Sequence, residues 1–479
     1  MLFSSITFLV FFLPAVLLFY YAFPNLKYKN TVLFLASLLF YAWGEPKFIV
    51  LMFCSIVFNY NIGFFLKKNS FQKRKLLIFG IAVNLLLLFV FKYLGFSCRI
   101  INALITHSNL RPLTRLNLIM PIGISFYTFQ EISYLVDVYK NPDLAQEDFV
   151  KLGLYISFFP QLIAGPIVRY HDINTQISDR SLTLSQFSAG LERFIIGLSK
   201  KILLANNFAF VCDSFYNSDF FGYGTFAAWC AAFSYAMQIY YDFSGYSDMA
   251  IGLAKLFGFE LLENFNYPYA ANSITDFWKR WHISLTNFFR DYVYIPLGGN
   301  RKGKVRTILN RYIVFFTTGL WHGASFNFIL WGLAHGSLMT IERLFKPKSK
   351  KVILSIISRI YTLFSILILW ILFRNGTKQT IKLILKMFGI NYTRFSGNEI
   401  PFYKNDFLML CLDKKFFAIL AIGILFCFPW WKKIHIKRQD SIAFVILTLL
   451  KYMVLAVLLV LCYANLAEQA YNPFIYFRF

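Results

Sequence analysis

The chain has 479 residues, of which 58% are hydrophobic and 20% are aromatic. This composition excludes an ordinary soluble domain and indicates an integral membrane protein with several spans in the lipid bilayer. Lysine and arginine outnumber aspartate and glutamate by 48 to 23, which gives a net charge of +25. The basic residues concentrate in short loops between apolar runs, as they do on the cytoplasmic side of membrane proteins. We therefore expect no nucleic-acid partner.

Apolar stretches that approach the ~20 residues needed to cross a bilayer recur along the chain. No Ala-x-Ala-like cleavage site follows the first stretch, which is therefore interpreted as a span and not as a signal peptide. The stretch 225–258 is long for one span and could form two elements. The candidate spans are 6–23, 31–43, 47–66, 76–96, 118–139, 150–168, 190–212, 225–258, a pair within 312–342, 352–373, 415–431 and 441–463.

Four basic clusters, at 67–75, 301–311, 343–351 and 432–438, orient these spans. If all four face the cytoplasm, both termini are extracytoplasmic. The loop 374–414 then faces outward, and it is too short to hold a catalytic domain of ordinary size. We interpret residues 1–479 as one membrane domain, with a motif-bearing core at about 120–345 and C-terminal helices in 350–479.

Several familiar catalytic and metal-binding patterns do not occur. The seven cysteines form no C-x-x-C pair, and there is no G-x-S-x-G elbow, Walker A loop or H-E-x-x-H motif, so we expect no metal. His435 and Asp440 have the H-x4-D spacing of glycerolipid acyltransferases. They lie in a short basic loop without a companion motif, and we interpret that loop as a determinant of topology.

Asp242, Ser244 and Asp248 lie in a stretch that is otherwise suited to a span. Ionisable groups at membrane depth are energetically costly and usually face a cavity or a partner group. A hydrogen-bonded structural cluster explains these three residues equally well.

The segment 274–290 has the pattern of an amphipathic helix at the cytoplasmic face of the membrane. Trp278 and Trp281 are placed to anchor at the interface, while Lys279, Arg280 and His282 reach polar surroundings. In the simplest interpretation, His282 is a solvated side chain of this helix.

The stretch 312–342 carries two histidines, His322 and His335, between two basic clusters. Its 31 residues fall short of the ~40 needed for two crossings, which predicts a hairpin that is short, broken or set where the membrane is thin. His322 lies eleven residues beyond Arg311, or ~16 Å of helix, near the middle of a ~30 Å bilayer core. Gly323, Gly332 and Gly336 would allow helices or a ligand to approach closely.

A neutral imidazole at membrane depth is suited to remove the proton from a hydroxyl group that attacks an ester or thioester. His322 is therefore a candidate general base. The alternative is a packing histidine bonded to a backbone carbonyl, and this alternative is stronger for His335, which lies nearer the cytoplasmic end of the returning arm.

Five motifs resemble those of the membrane-bound O-acyltransferase family, in particular its branch that O-acetylates bacterial polysaccharides. They are F-P-Q-L-I-A-G-P-I (159–167), Y-D-F-S-G-Y-S-D-M-A-I-G (241–252), F-W-K-R-W-H-I-S-L (277–285), Y-I-P-L-G-G-N (294–300) and G-L-W-H-G-A (319–324). The similarity covers roughly residues 1–345.

The resemblance implies an all-α polytopic fold, with a ring of roughly 11–13 transmembrane or re-entrant helices around a thinned core that contains a tunnel. The family's principal histidine matches His322, and its second position matches His282. Supporting or donor-binding positions under this resemblance are Trp278, Arg280, Trp281, Trp321, His335, Asp242 and Ser244.

The resemblance also implies transfer of an acetyl group from a cytoplasmic donor, acetyl-CoA, towards an extracytoplasmic polysaccharide such as alginate or peptidoglycan. A periplasmic SGNH-type partner would receive the group, and the chain would lie in the bacterial cytoplasmic membrane. Basic loops near His282 could attract the phosphates of CoA. Two alternatives stay open, namely D-alanyl transfer to teichoic acid and non-enzymatic transport of a donor or polymer.

Overall fold

The computed structural model describes residues 1–68, 71–105, 112–113, 118–217, 224–344, 352–390, 412–430, 442–468 and 471–474. The interpretations that concern His435, Asp440, the basic cluster 432–438, most of the basic cluster 343–351 and residues 391–411 of the loop 374–414 fall outside these ranges. Within them all regular structure is helical, which confirms the predicted all-α class.

The first nine helices run from the N-terminus to the middle of the chain. They are α1 Thr7–Tyr21, α2 Leu26–Gly44, α3 Ile49–Lys68, α4 Lys73–Ile105, α5 Ile124–Lys140, α6 Phe149–Ser157, α7 Phe159–Leu162, α8 Tyr170–Ser178 and α9 Leu184–Tyr216. The rest are α10 Thr225–Leu256, α11 Ile274–Trp278, α12 Ile283–Phe289, α13 Gly303–His322, α14 Phe326–Leu344, α15 Val352–Arg374, α16 Thr377–Met387, α17 Lys414–Phe426 and α18 Ile442–Ala467.

Five helices in the described ranges are long and apolar enough to cross a membrane, as judged by length and composition. They are α3, α4, α9, α15 and the Phe444–Ala467 part of α18. Together with the apolar composition, they establish a multi-pass membrane protein.

Helices α9 and α10 form a central pair that packs through glycines. A Cβ atom added to Gly197 would lie 2.6 Å from the carbonyl oxygen of Gly245, and one added to Gly252 would lie 2.6 Å from the backbone nitrogen of Phe194. The two backbones therefore touch, as small residues permit in membrane helices. The stretch 225–258 forms one helix, α10, and not two elements.

The predicted hairpin is present, but its arms are longer than expected. Helix α13 has 20 residues and α14 has 19, so each is ~30 Å long at 1.5 Å per residue. Short arms are contradicted, because that alternative counted only the apolar residues, whereas placement of the hairpin where the membrane is thin stays a prediction. The exposed basic residues Lys304 and Arg306 already belong to the first turns of α13, where long side chains extend towards water.

The predicted helix 274–290 is broken, and its tryptophans do not lie at an exposed interface. Helices α11 and α12 are separated at His282, whose backbone is left-handed at φ 45° and ψ 54°. The side chains of Trp278 and Trp281 are buried within the protein, and His282 is 0% exposed. Aromatic packing between helices, described below, removes all three from solvent.

Candidate active site

A cavity of about 290 Å³ lies beside His322, where α13 ends. This volume is at the small end of the range for ligand sites and can hold an acetyl group with the hydroxyl that receives it. Helices α4, α5 and α13 contribute to its wall. The lining residues are Lys92, Met120, Pro121, Ile122, Gly123, Ile124, Ser125, Phe126, Ile163, Trp321 and His322.

The imidazole of His322 stands among aromatic rings. The centroids of Trp321, Trp331 and Phe373 lie 4.9, 5.2 and 5.1 Å from that of His322, each in an edge-to-face arrangement. These rings pack against the imidazole and bury it, while His322 also lines the cavity. The geometry suits a neutral imidazole that exchanges a proton with a molecule in the cavity.

Two neighbouring residues of α4 hold the end of the helix that carries His322. The hydroxyl of Tyr93 donates to the carbonyl of Leu320 at 2.9 Å, and the ammonium of Lys92 donates to the carbonyl of Trp321. The last carbonyls of a helix lack partners within it and attract cations. A π-helical turn at Phe89–Tyr93 widens α4 at this point, and both side chains reach α13.

Sequence reasoning missed Lys92, although a signal was present. It is a single lysine within the apolar run 76–96, and ionisable residues in spans commonly mark function. Its ammonium also donates to the hydroxyl of Ser125 at 3.1 Å.

His282 is fixed by Asn264, a residue that the sequence did not single out. The side-chain oxygen of Asn264 lies 3.1 Å from Nδ1 of His282 and accepts hydrogen bonds from the backbone N–H and the hydroxyl of Ser284. Because a backbone N–H can only donate, the atom of Asn264 at this position is the oxygen. Nδ1 of His282 therefore carries the proton, and Nε2 is the basic nitrogen.

An aromatic cluster connects the three histidines. The ring of His282 lies 5.8 Å from that of Trp321, and Trp331 lies between His322 and His335, 4.7 Å from the latter. The indole N–H of Trp278 donates to Nδ1 of His335 at 3.1 Å. Nε2 of His335 is therefore protonated and acts as a donor. The hairpin and the α11–α12 segment thus bring the predicted histidines and tryptophans together.

Three N–H groups in this cluster have no acceptor among the described residues. They belong to the side chains of Trp321, Trp331 and His335, and all three are buried. Buried donors in native proteins are nearly always satisfied by protein, water or ligand. The cluster is therefore suited to a molecule that brings oxygen acceptors.

Of the predicted positions, Trp321 and His322 line the cavity and the others do not. Asp242 forms a buried ion pair with Lys201 at 2.7 Å, and Arg280 pairs with Asp276 at 2.9 Å. The hydroxyl of Ser244 is buried and makes no hydrogen bond within the described residues. In the same ranges, no group of three His, Cys, Asp or Glu side chains is placed to hold a metal.

Comparison with known proteins agrees with these motifs. Residues 47–374 match the model of the membrane-bound O-acyltransferase family. The chain is 34% identical over its whole length to the whole of a probable alginate O-acetylase AlgI of Pseudomonas putida. It is 37% identical to a peptidoglycan O-acetyltransferase of Helicobacter pylori over 82% of this chain and 80% of that protein. A teichoic acid D-alanyltransferase of Bacillus subtilis is 30% identical over 49% of this chain and 62% of its own. The chain is an enzyme of the membrane-bound O-acyltransferase family.

Proposed function

We propose that this enzyme moves acetyl groups from acetyl-CoA on the cytoplasmic side to an extracytoplasmic polysaccharide, alginate-like or peptidoglycan. The observation that carries the proposal is the placement of His322 at the end of α13, where it lines a cavity sized for the reacting groups. The names of two of the similar proteins, a probable alginate O-acetylase and a peptidoglycan O-acetyltransferase, support this acceptor class.

The helix bounds support an acceptor cavity on the side away from the basic loops. Lys92 follows the basic start of α4 by 19 residues, and His322 follows the start of α13 by 19 residues, or ~28 Å in each case. Basic loops favour the cytoplasm, and the first turns of α13 carry basic side chains that extend towards water, so we place the cavity between the middle of the membrane and its extracytoplasmic face. Both chain termini are then extracytoplasmic.

In the proposed reaction, His322 accepts the proton of the acceptor hydroxyl as its oxygen attacks the acetyl carbon of the thioester. The thiolate of CoA then leaves and takes that proton from the imidazolium. His282, whose basic Nε2 is set by Asn264, belongs to the donor side of the same cluster. The N–H groups of Trp321, Trp331 and His335 would donate hydrogen bonds to carbonyl oxygens of acetyl-CoA. These oxygens belong to the thioester and to the amide groups of the CoA arm.

We further propose that the direct acceptor is a periplasmic SGNH-type partner, which passes the acetyl group on to the polymer. D-alanyl transfer is the second candidate function, and similarity to the D-alanyltransferase over about half the chain supports it. The match over the whole length to an alginate O-acetylase favours acetyl transfer.

The test uses purified protein in lipid and acetyl-CoA labelled in its acetyl group. We expect transfer or slow hydrolysis, and we expect His322→Ala to lower the rate by about 10²- to 10⁴-fold because the base is lost. His322→Gln, which keeps the bulk of the side chain, should be as inactive.

Normal transfer by a stably folded His322→Ala protein contradicts the proposal. Acetyl-CoA binding without reaction, with acetylation in cells unchanged by His322→Gln, would instead identify a transporter. Reaction only with a D-alanyl thioester on a carrier protein would identify the second candidate.

A further inference from the structure

We propose that Lys92 is a catalytic residue, which stabilises the negative charge that develops on the acetyl oxygen. The inference rests on the proposed acyl transfer, and it assigns the oxyanion site of that reaction to the ammonium of α4. Three observations carry it: the position of Lys92 in the cavity wall, the way its ammonium is held, and its lack of a carboxylate partner.

Lys92 and His322 line the same cavity from two neighbouring helices. Helix α4 supplies Lys92 through its π-helical turn, and α13 supplies His322 at its last residue. A carbonyl group in the cavity can therefore meet a base and a cation at once. This is the arrangement that acyl transfer requires, because a proton is removed at one oxygen while charge develops at another.

The ammonium group is held by neutral acceptors. It donates to the backbone carbonyl of Trp321 and to the hydroxyl of Ser125, and it lies 5.7 Å from the centroid of the Trp321 ring. An ammonium group has three N–H donors, so these two contacts leave one for a molecule in the cavity. The contacts also fix the position of the charge before the reaction begins.

Lys92 takes part in none of the ion pairs among the described residues. By contrast, the buried Lys201 is neutralised by Asp242 at 2.7 Å. A cation within an apolar span is energetically costly, and such residues are usually paired or functional. In the described part of the chain, Lys92 has no carboxylate beside it before the reaction, and the oxyanion that forms during acyl transfer would supply the missing negative charge.

The acceptor oxygen forms a bond to the acetyl carbon, its proton moves to His322, and the π electron pair of the carbonyl moves to the acetyl oxygen. The third N–H of Lys92 donates to that oxyanion. The carbonyl then re-forms as the carbon–sulfur bond breaks, and the thiolate leaves with the proton from His322.

The experiment measures transfer from labelled acetyl-CoA by the full chain in lipid, for three variants of Lys92. Lys92→Met removes the charge and both contacts, Lys92→Gln keeps a hydrogen-bond donor without charge, and Lys92→Arg keeps the charge. We expect kcat to fall by about 10²- to 10³-fold for Met and Gln, with KM for acetyl-CoA changed less than threefold, and to recover at least tenfold in the arginine variant.

Tyr93→Phe is the matched control, because it removes the hydrogen bond to the neighbouring carbonyl of Leu320 and leaves the cavity charge in place. Its kcat should fall less than tenfold. If Lys92→Gln is as active as Lys92→Arg, or if Lys92→Met only matches Tyr93→Phe, Lys92 merely holds the end of α13 and the proposal is overturned. A normal Lys92→Met protein beside an inactive His322→Ala protein refutes this proposal alone, whereas an active His322→Ala protein refutes the acyl-transfer scheme itself.

Discussion

At the scale of single residues, the two principal histidines are supported in different ways. His322 takes its position from the end of α13, which Lys92 and Tyr93 hold. His282 takes its tautomer from one oxygen of Asn264. In both cases a residue distant in sequence decides what the imidazole can do.

Replacement of Asn264 by leucine removes the acceptor that keeps the proton on Nδ1 of His282. We expect kcat for acetyl transfer to fall by about 10²-fold, because a misplaced reactive group loses most of its proximity advantage. Ser247→Ala is the control, since Ser247 accepts only from the amide nitrogen of Asn264, at 3.0 Å. Equal activity of the two variants would show that His282 does not depend on Asn264.

The sequence predicted the two histidines but not the residues that hold them in position. His322 and His282 stand in recognisable motifs, whereas Asn264 lies 18 residues before His282 in a segment without helical or strand periodicity. Its contact with His282 arises from the path of the chain after α10, which local patterns do not encode. Lys92 could have been identified from the sequence, because it is a single charged residue within an apolar run.

At the scale of elements, the sequence predicted that 312–342 forms a helical hairpin, but it did not predict how long the two helices are. Apolar windows mark where side chains avoid water, whereas helix ends are set by backbone hydrogen bonds, which continue through the basic turns from Gly303. The break at His282 was missed for a related reason. The composition of 274–290 suits a helix, and only tertiary contacts stop it.

The hairpin gives a direct test of its own packing. A Cβ atom at Gly332 would lie 2.2 Å from the carbonyl oxygen of Phe315, whereas one at Gly336 would meet only ordinary contacts, at 3.5 Å. We expect Gly332→Ala to lower the free energy of unfolding by about 1–3 kcal/mol, as overpacking does. Gly336→Ala should be neutral or stabilise by up to ~1 kcal/mol, because alanine restricts the unfolded chain.

Thermal unfolding in detergent, followed by circular dichroism, measures both variants. The prediction is wrong if Gly332→Ala unfolds at the same temperature as Gly336→Ala. The structure confirms that Gly332 allows α14 to approach α13 closely. At Gly336 the two helices make only ordinary contacts.

At the scale of the whole molecule, the described part of the C-terminal segment, 471–474, ties the ends of the chain to its centre. The side chain of Asn472 donates to the carbonyl of Ser4 at 2.9 Å, and the ammonium of Lys201 donates to the carbonyl of Pro473. Lys201 also pairs with Asp242 of α10. A single buried lysine thus links α9, α10 and the C-terminal segment.

Lys201→Met removes the cation opposite Asp242 and should lower the free energy of unfolding by about 3–5 kcal/mol, because a buried carboxylate loses its counter-charge. Adding Asp242→Asn should recover most of that loss. Lys67→Met, which breaks the surface pair with Glu147, is the control and should leave the free energy of unfolding nearly unchanged. Denaturation of the purified variants measures the three effects, and a double variant no more stable than Lys201→Met would contradict the prediction.

The left-handed backbone of His282 has a consequence for how this enzyme can be altered. A residue with a Cβ atom in that conformation costs about 1–2 kcal/mol, and glycine avoids the cost. Glycine at position 282 would remove this strain but would leave the space of a fully buried imidazole empty, so the packing around His282 has to offset the strain for the imidazole to stay in place. Engineering of a more robust enzyme has to hold this one position fixed and gain its stability elsewhere.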